Sequence, residues 1–308
     1  MSLQKTDKRV ALLLSGHLRS ISYTIDNIIQ LKKFLNCDVF FHTWTTMESN
    51  SLSWRQNNYI YQDFQKNKLL VDLSPVVYFF EEQNTESIQN YFNISDEIES
   101  KYFGMFAMCY GMSRCFDIFE SYCHENNQTY DICLRHRFDT IVNVSDLEIQ
   151  LSKISIFNGT VLMPRHNWVF TSGVHFDGLM IITPSDYKYF LNYLKLYLHP
   201  LLLSIRKGER YLPELILCHS IRNCKLAIRP LKSRISLVRG NGYIEQEYMF
   251  KKSISDYFYS QVNSIKLFKF VTQKMTETNS YIEWKRNNIT LVRWLLYNFY
   301  NVYFKIFK

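Results

Sequence analysis

The start of the chain constrains its fold most. Arg9-Val-Ala-Leu-Leu-Leu-Ser15 runs from a charge into an unbroken apolar stretch that stops at Gly16. Such a run, without alternation, reads as a strand buried on both faces, the kind that parallel sheets contain. From Tyr23 to Leu35, residues Ile25, Ile28, Ile29, Leu31 and Leu35 fall at helical spacing, and Cys37-Asp-Val-Phe-Phe-His-Thr-Trp44 follows as a second apolar strand. Strand, helix, strand is a βαβ unit.

The pattern continues. A polar loop around Thr45 to Asn57 and a helical segment lead to a third strand, Val76-Val-Tyr-Phe-Phe80. Lys101 to Asn126 is a long helix with Phe103, Phe106, Cys109, Tyr110, Phe116, Ile118 and Phe119 on one broad apolar side. Tyr130-Asp-Ile-Cys-Leu134 reads as a strand closed by the charged cluster Arg135-His-Arg-Phe-Asp139. Thr160 to Met163, Gly178 to Thr183 and Lys225 to Ile228 read as strands, with helices over Asp186 to Leu198 and Pro213 to Asn223. This alternation predicts an α/β layered fold over residues 1–242, followed by a helical, basic region over 243–308.

Composition agrees with a packed protein: of 308 residues, 47% are hydrophobic and 21% charged, which excludes disordered and fibrous classes. The charge is uneven, with a net −4 up to Leu198 and +12 from His199 onward. That skew implies an anionic partner: a nucleotide diphosphate, a nucleic acid or an acidic membrane surface. The seven cysteines are odd in number and contain no C-x-x-C pair, which favours reduced, buried thiols over disulfides or a zinc site. Val10 to Leu14 is too short for the apolar part of a signal peptide, so a cytoplasmic location is expected and the N-x-S/T triplets carry no weight.

In an open α/β sheet ligands gather at the carboxyl ends of the strands. Two polar clusters fall there. Ser15-Gly-His-Leu-Arg-Ser20 follows the first strand, where Gly16 permits close backbone approach and Arg19 can grip a phosphate or carboxylate; the same residues also suit an ordinary βα turn. Arg135, Arg137 and Asp139 follow a buried strand, which fits either a diphosphate site shared with a divalent cation or a structural Arg–Asp ion-pair network. His42 and Trp44 end the second strand, and either can simply cap the sheet. Asp177 precedes an apolar strand, as a turn residue or a catalytic carboxylate. Glu214 follows Pro213 at a helix start, where a carboxylate is favoured on stability grounds alone. No G-x-x-x-x-G-K-[ST], G-x-G-x-x-G, H-E-x-x-H or G-x-S-x-G pattern occurs, which weakens kinase, dehydrogenase, zinc-protease and ordinary α/β-hydrolase readings.

Taken in order, Val10-Ala-Leu-Leu-Leu-Ser-Gly-His-Leu-Arg-Ser20, Asp38-Val-Phe-Phe-His-Thr-Trp44 and Tyr130-Asp-Ile-Cys-Leu-Arg-His-Arg-Phe-Asp139 resemble a group of bacterial glycosyltransferases encoded with lipopolysaccharide and capsule genes. Asp177 and Pro213-Glu214 match later positions of that pattern, and the resemblance spans roughly Arg9 to Arg229. It implies a GT-A-like, Rossmann-related fold, a nucleotide-sugar donor, and a role in O-antigen, lipooligosaccharide or capsule assembly. It places Ser15, Gly16, His17, Arg19 and His42 at the donor, and Arg135, Arg137 and Asp139 at its diphosphate. Asp139 would also hold Mn2+ or Mg2+, although a lone Asp departs from the usual D-x-D. An inverting enzyme would need a base, Asp177 or Glu214, whereas a retaining one would not.

The C-terminal stretch suits a lipid-linked glycan acceptor. Between Ile289 and Lys308, Leu291, Val292, Trp294, Leu295, Leu296, Phe299, Tyr303, Phe304 and Phe307 cover much of a helix, interrupted too often for a span of about 20 apolar residues. It predicts either an interfacial helix on the inner leaflet or a helix packed on protein. The competing functions are nucleic-acid binding through the basic third and a noncatalytic assembly partner. The first is disfavoured because the aromatics there sit in helix-like apolar patterns, so no nucleic-acid partner is expected.

Overall fold

The structure is a computed structural model that describes residues 8–45, 66–151, 156–164, 177–204, 213–231, 233, 235–238 and 244–248. The loop around Thr45 to Asn57, apart from Thr45 itself, and the helix expected over Ile289 to Lys308 lie outside the described residues.

The first half holds β1 (Val10–Gly16), α1 (Ile21–Leu35), β2 (Asp38–Trp44), α2 (Lys66–Leu73), β3 (Val77–Glu81), α3 (Thr85–Phe92) and α4 (Ser100–Glu125). After them come β4 (Ile132–Arg137), β5 (Thr140–Val142), α5 (Val144–Leu151), β6 (Thr160–Pro164) and β7 (Leu179–Ile182). The chain continues through α6 (Pro184–Leu203), α7 (Pro213–Asn223), β8 (Ala227–Leu231), β9 (Ile235–Val238) and β10 (Ile244–Tyr248). A seven-stranded sheet in the order β3-β2-β1-β4-β7-β6-β8 forms the centre, and β10-β9-β5 form a small antiparallel sheet. The expected α/β architecture, a central sheet flanked by helices, is therefore the one observed.

β1 is parallel to both neighbours and buried from Val10 to Ser15, which explains its unbroken apolar run. Ala11 and Leu13 join a core with Phe40, Cys109, Cys115, Phe116 and Phe190 of β2, α4 and α6. Leu12 and Leu14 face the other way, against Ile21, Ile25, Ile28 and Leu31 of α1. The sheet is thus a middle layer between two helical ones. α4 packs close to the sheet at Gly111, where a Cβ would be in van der Waals contact with the His42 ring at 3.4 Å.

One strand differs from the sequence expectation, and two further features add to it. β4 runs on through Arg137 rather than ending at Leu134, so Arg135 and His136 are strand residues. β7 is antiparallel to both β4 and β6. Strand structure continues past Gly242, where β10 pairs with β9. Among the described residues no helix is long and apolar enough to cross a membrane.

Candidate functional site

β3, β2 and β1 progress to one side of the sheet, and the chain returns at β4 to build the other side. The carboxyl ends of β1 and β4 therefore flank a topological switch point, where the loops diverge and leave a crevice. The register places Phe79, His42, Ser15 and Arg137 in one row across β3, β2, β1 and β4. One step further Gly16 turns with φ +125°, a conformation that suits glycine, and the Thr43 hydroxyl donates to its carbonyl at 2.7 Å.

Local bonds fix the turn after β4. Thr24 Oγ1 donates to the Phe138 carbonyl at 2.6 Å, Ser20 Oγ to the Val238 carbonyl at 2.6 Å, and the Val238 amide to the Asp139 carbonyl at 2.8 Å. The first turn of α1 and the end of β9 thereby hold Asp139 in place. Ser20 starts α1 but spends its hydroxyl on this tie rather than on capping the helix.

Five charged side chains meet here. Arg137 grips Asp139 through Nε to Oδ1 at 2.8 Å and Nη2 to Oδ2 at 2.7 Å, and Arg19 Nη2 donates to the same Oδ2 at 2.7 Å. Arg137 Nη1 also reaches Asp177, at 3.2 and 3.4 Å, while Arg135 Nη1 lies 4.0 Å from it. The side chains of Asp139 and Asp177 are 6% and 4% exposed, whereas Arg19 and Arg137 keep 19% and 22% open. The carboxylates are nearly closed off, whereas the Arg19 and Arg137 side chains stay partly open at the switch point.

Burial alone would raise the Asp139 pKa, but Arg137 and Arg19 overcome it and hold the carboxyl far below the usual range. Glu214, at the start of α7, is pushed upward by burial and then by the negative charge of Asp177. His136 points to the opposite face, with Nε2 3.1 Å from Thr140 Oγ1, and burial followed by the Arg135 charge pushes its pKa down to about 3.

Arg135 departs from its expected position at the diphosphate. It lies inside the sheet at 2% exposure, its Nε and Nη1 without hydrogen-bond partners, and it meets the charged network at Asp177, 4.0 Å away. Asp139 also does not fit the metal-ligand role. Three guanidinium N–H groups occupy its two oxygens, out of about four lone-pair sites on a carboxylate. Among the described residues no group of three His, Cys, Asp or Glu side chains is placed to hold a metal ion.

His42 belongs to a second cluster, which the sequence reading did not assemble. Its Nε2 lies 2.8 Å from Glu81 Oε2, the Tyr110 hydroxyl donates to Glu81 Oε1 at 2.7 Å, and Arg114 Nε reaches Oε2 at 3.5 Å. Burial opposes ionisation of Glu81, but the bonds from His42 and Tyr110 hold its pKa below the ordinary value. His17 completes the edge of the crevice with its ring 6.2 Å from Trp44. Glu81 was legible in principle, since it ends an apolar strand as Asp139 follows one, but the strand was read only as far as Phe80.

No family model matches this sequence, and no curated protein matches it. Solved structures resemble it in chain path. The glycosyltransferase GlyE of Streptococcus pneumoniae TIGR4 aligns at 13% identity and TM-score 0.38, over 74% of this chain and 46% of its own. A glycosyltransferase involved in glycosylation of the major capsid of PBCV-1 aligns at 9% identity and TM-score 0.33, over 72% and 82%. The inositol-1-phosphate CTP transferase from T. maritima aligns at 10% identity and TM-score 0.34, over 76% and 90%. The chain thus spans under half the length of the GlyE chain.

Proposed function

We propose that this chain is a nucleotide-sugar-dependent glycosyltransferase that extends a lipopolysaccharide, O-antigen or capsule acceptor. One observation carries the reading: Arg19 and Arg137, both bonded to Asp139, are partly exposed cationic side chains where an open α/β sheet collects its ligands. The sequence resemblance gives that site its chemistry. The acceptor class, and a place at the inner membrane face, rest on the resemblance and on the basic, amphipathic C-terminal stretch.

The chemistry follows from the charges. Transfer breaks the bond between the anomeric carbon and the diphosphate, so negative charge grows on the leaving oxygen. Guanidinium groups fixed beforehand stabilise that charge without reorganising during the reaction. Asp139 supplies the fixing, through the two bonds to Arg137 and the one to Arg19. Asp177 faces Arg137 with both oxygens, which leaves Glu214 as the carboxylate to take the acceptor's proton. Because the Asp139 donor set does not fit a divalent cation, no step of this reading passes through one.

A thermal-shift screen of UDP-, GDP-, CMP- and dTDP-sugars tests the proposal, since a ligand that binds only the folded state raises its melting temperature. One class should shift the protein, and Arg19→Ala and Arg137→Ala should each abolish the shift. If none of the four shifts it, while RNA or DNA binds in a salt-dependent way, the nucleic-acid reading replaces this one.

A further inference from the structure

A cleft of about 390 Å3 lies between α1 and the small sheet, lined by Asn27, Gln30, Asn143, Ser145 and Ser236 with Ile141, Val142 and Val144. It is not part of the charged network. β5 nevertheless starts at the residue after Asp139, so about three residues of strand, roughly 10 Å, separate Asp139 from the Val142 wall.

The framework of this cleft is fixed by hydrogen bonds. The Asn27 side chain accepts from the Val142 amide at 2.8 Å and donates to the Val142 carbonyl at 2.8 Å, pairing with β5 as a neighbouring strand would. Asn143 Oδ1 accepts from the Asp146 amide at 2.9 Å and starts α5. Left over are the Gln30 amide, the Asn143 Nδ2 group and the hydroxyls of Ser145 and Ser236, which bond to no other described residue and border the open space.

Chemistry narrows the ligand. Among the described residues no charged side chain lines the cleft, so none of them grips a phosphate, a carboxylate or an ammonium group. Among the described residues no aromatic ring lines it either, so a nucleobase finds no ring among them to stack on. The amide and hydroxyl groups can donate and accept, and they alternate with the aliphatic Ile141, Val142 and Val144. A pyranose ring has the matching surface, with hydroxyls around its rim and C–H groups on its faces. We infer that this cleft is a subsite for a neutral saccharide, placed to hold the acceptor glycan beside the charged network. The acceptor role rests on the glycosyltransferase reading, whereas saccharide binding itself does not.

Saturation-transfer NMR on the full chain with maltose, lactose and N,N′-diacetylchitobiose tests it. At least one disaccharide should receive magnetisation from the protein. Gln30→Ala combined with Ser145→Ala, both at exposed positions, should weaken that binding about fivefold or more by removing two hydrogen-bonding groups. Ser145→Arg should block it by filling the cleft, with the melting temperature of each variant as the control; Gln30→Ala alone replaces any variant that unfolds. No transfer to any of the three, or transfer equal in wild type and variants, overturns the subsite. Saccharide binding without any nucleotide-sugar shift sinks the glycosyltransferase reading and leaves the cleft standing; the reverse result sinks the cleft alone.

Discussion

Arg137 and Asp139, two residues apart in the chain, are joined by two parallel hydrogen bonds of 2.8 and 2.7 Å. The same aspartate takes a third bond from Arg19, 120 residues distant. A tight turn and the first βα loop are thereby locked to one buried carboxylate, which sets the spacing of the two arginines.

Asp139→Asn should destabilise the fold by about 3–5 kcal/mol, the cost of removing one partner from a buried ion pair. The pH dependence tests the cause. The folded carboxyl is held far below the ordinary value of about 3.9, so its stabilisation is complete above that pH and drains as acid protonates the unfolded chain. Wild-type stability should therefore fall more steeply than that of Asp139→Asn between about pH 4 and pH 2. Parallel acid-denaturation curves would show that Asp139 does not make this contribution.

Much of the central sheet was legible because its signals are local. β1, α1 and β2 lie within about two residues of their predicted bounds, since each is an apolar run or stripe with a clear break at its ends. β4 was cut short because Arg135 and Arg137 look like loop residues. Only the sheet shows that both point toward the α4 and α6 side, where Asp177 and the switch point receive them. The direction of β7 follows from how the chain enters it, which no residue within Leu179–Ile182 encodes. Of the charged cluster, Arg19, Arg137, Asp139, Asp177 and Glu214 were each visible in the sequence as charges beside a strand or at a helix start, though not as a group. Glu81, Tyr110 and Arg114 were missed because they meet only when α4 crosses β2 and β3.

Glu214 should control the pH profile of transfer. Burial and the Asp177 charge raise its pKa above the ordinary carboxylate value of about 4.3, so it becomes a working base only as the pH rises through that elevated value. Glu214→Gln should lower kcat about 10²–10⁴-fold and remove the acidic limb of the profile. Asp177→Asn should move the limb to lower pH. An acidic limb that persists in Glu214→Gln assigns the proton to another group.

Metal removal should leave donor hydrolysis unchanged. Three guanidinium N–H groups already satisfy Asp139, and the two arginines supply the positive charge that a cation would bring. Initial rates measured with excess EDTA and with Mn2+ should agree within about twofold, less than the tenfold that 1.36 kcal/mol of barrier represents. A loss of activity in EDTA that Mn2+ restores would require Asp139 to exchange its arginines for metal.

Glu81 should couple to Tyr110 and set the state of His42. Burial, followed by the Glu81 carboxylate, pushes the Tyr110 pKa up to about 12, so the phenol stays a donor at neutral pH. Burial also lowers the His42 pKa more than Glu81 raises it, which keeps the ring neutral with its Nε2 proton directed at Glu81. Glu81→Gln should therefore cost about 1–3 kcal/mol by weakening both bonds, and a double-mutant cycle with Tyr110→Phe should give a coupling of about 0.5–3 kcal/mol. The histidine adds a separate signature. Its folded pKa lies below the unfolded value of about 6.5, so the unfolded chain binds the proton first and stability falls as the pH drops below that value. His42→Gln should flatten this loss between about pH 7 and pH 5. A variant with the wild-type slope in that window would mean that His42 is protonated in the folded protein, with Glu81 as the partner of an ion pair rather than the acceptor from a neutral ring.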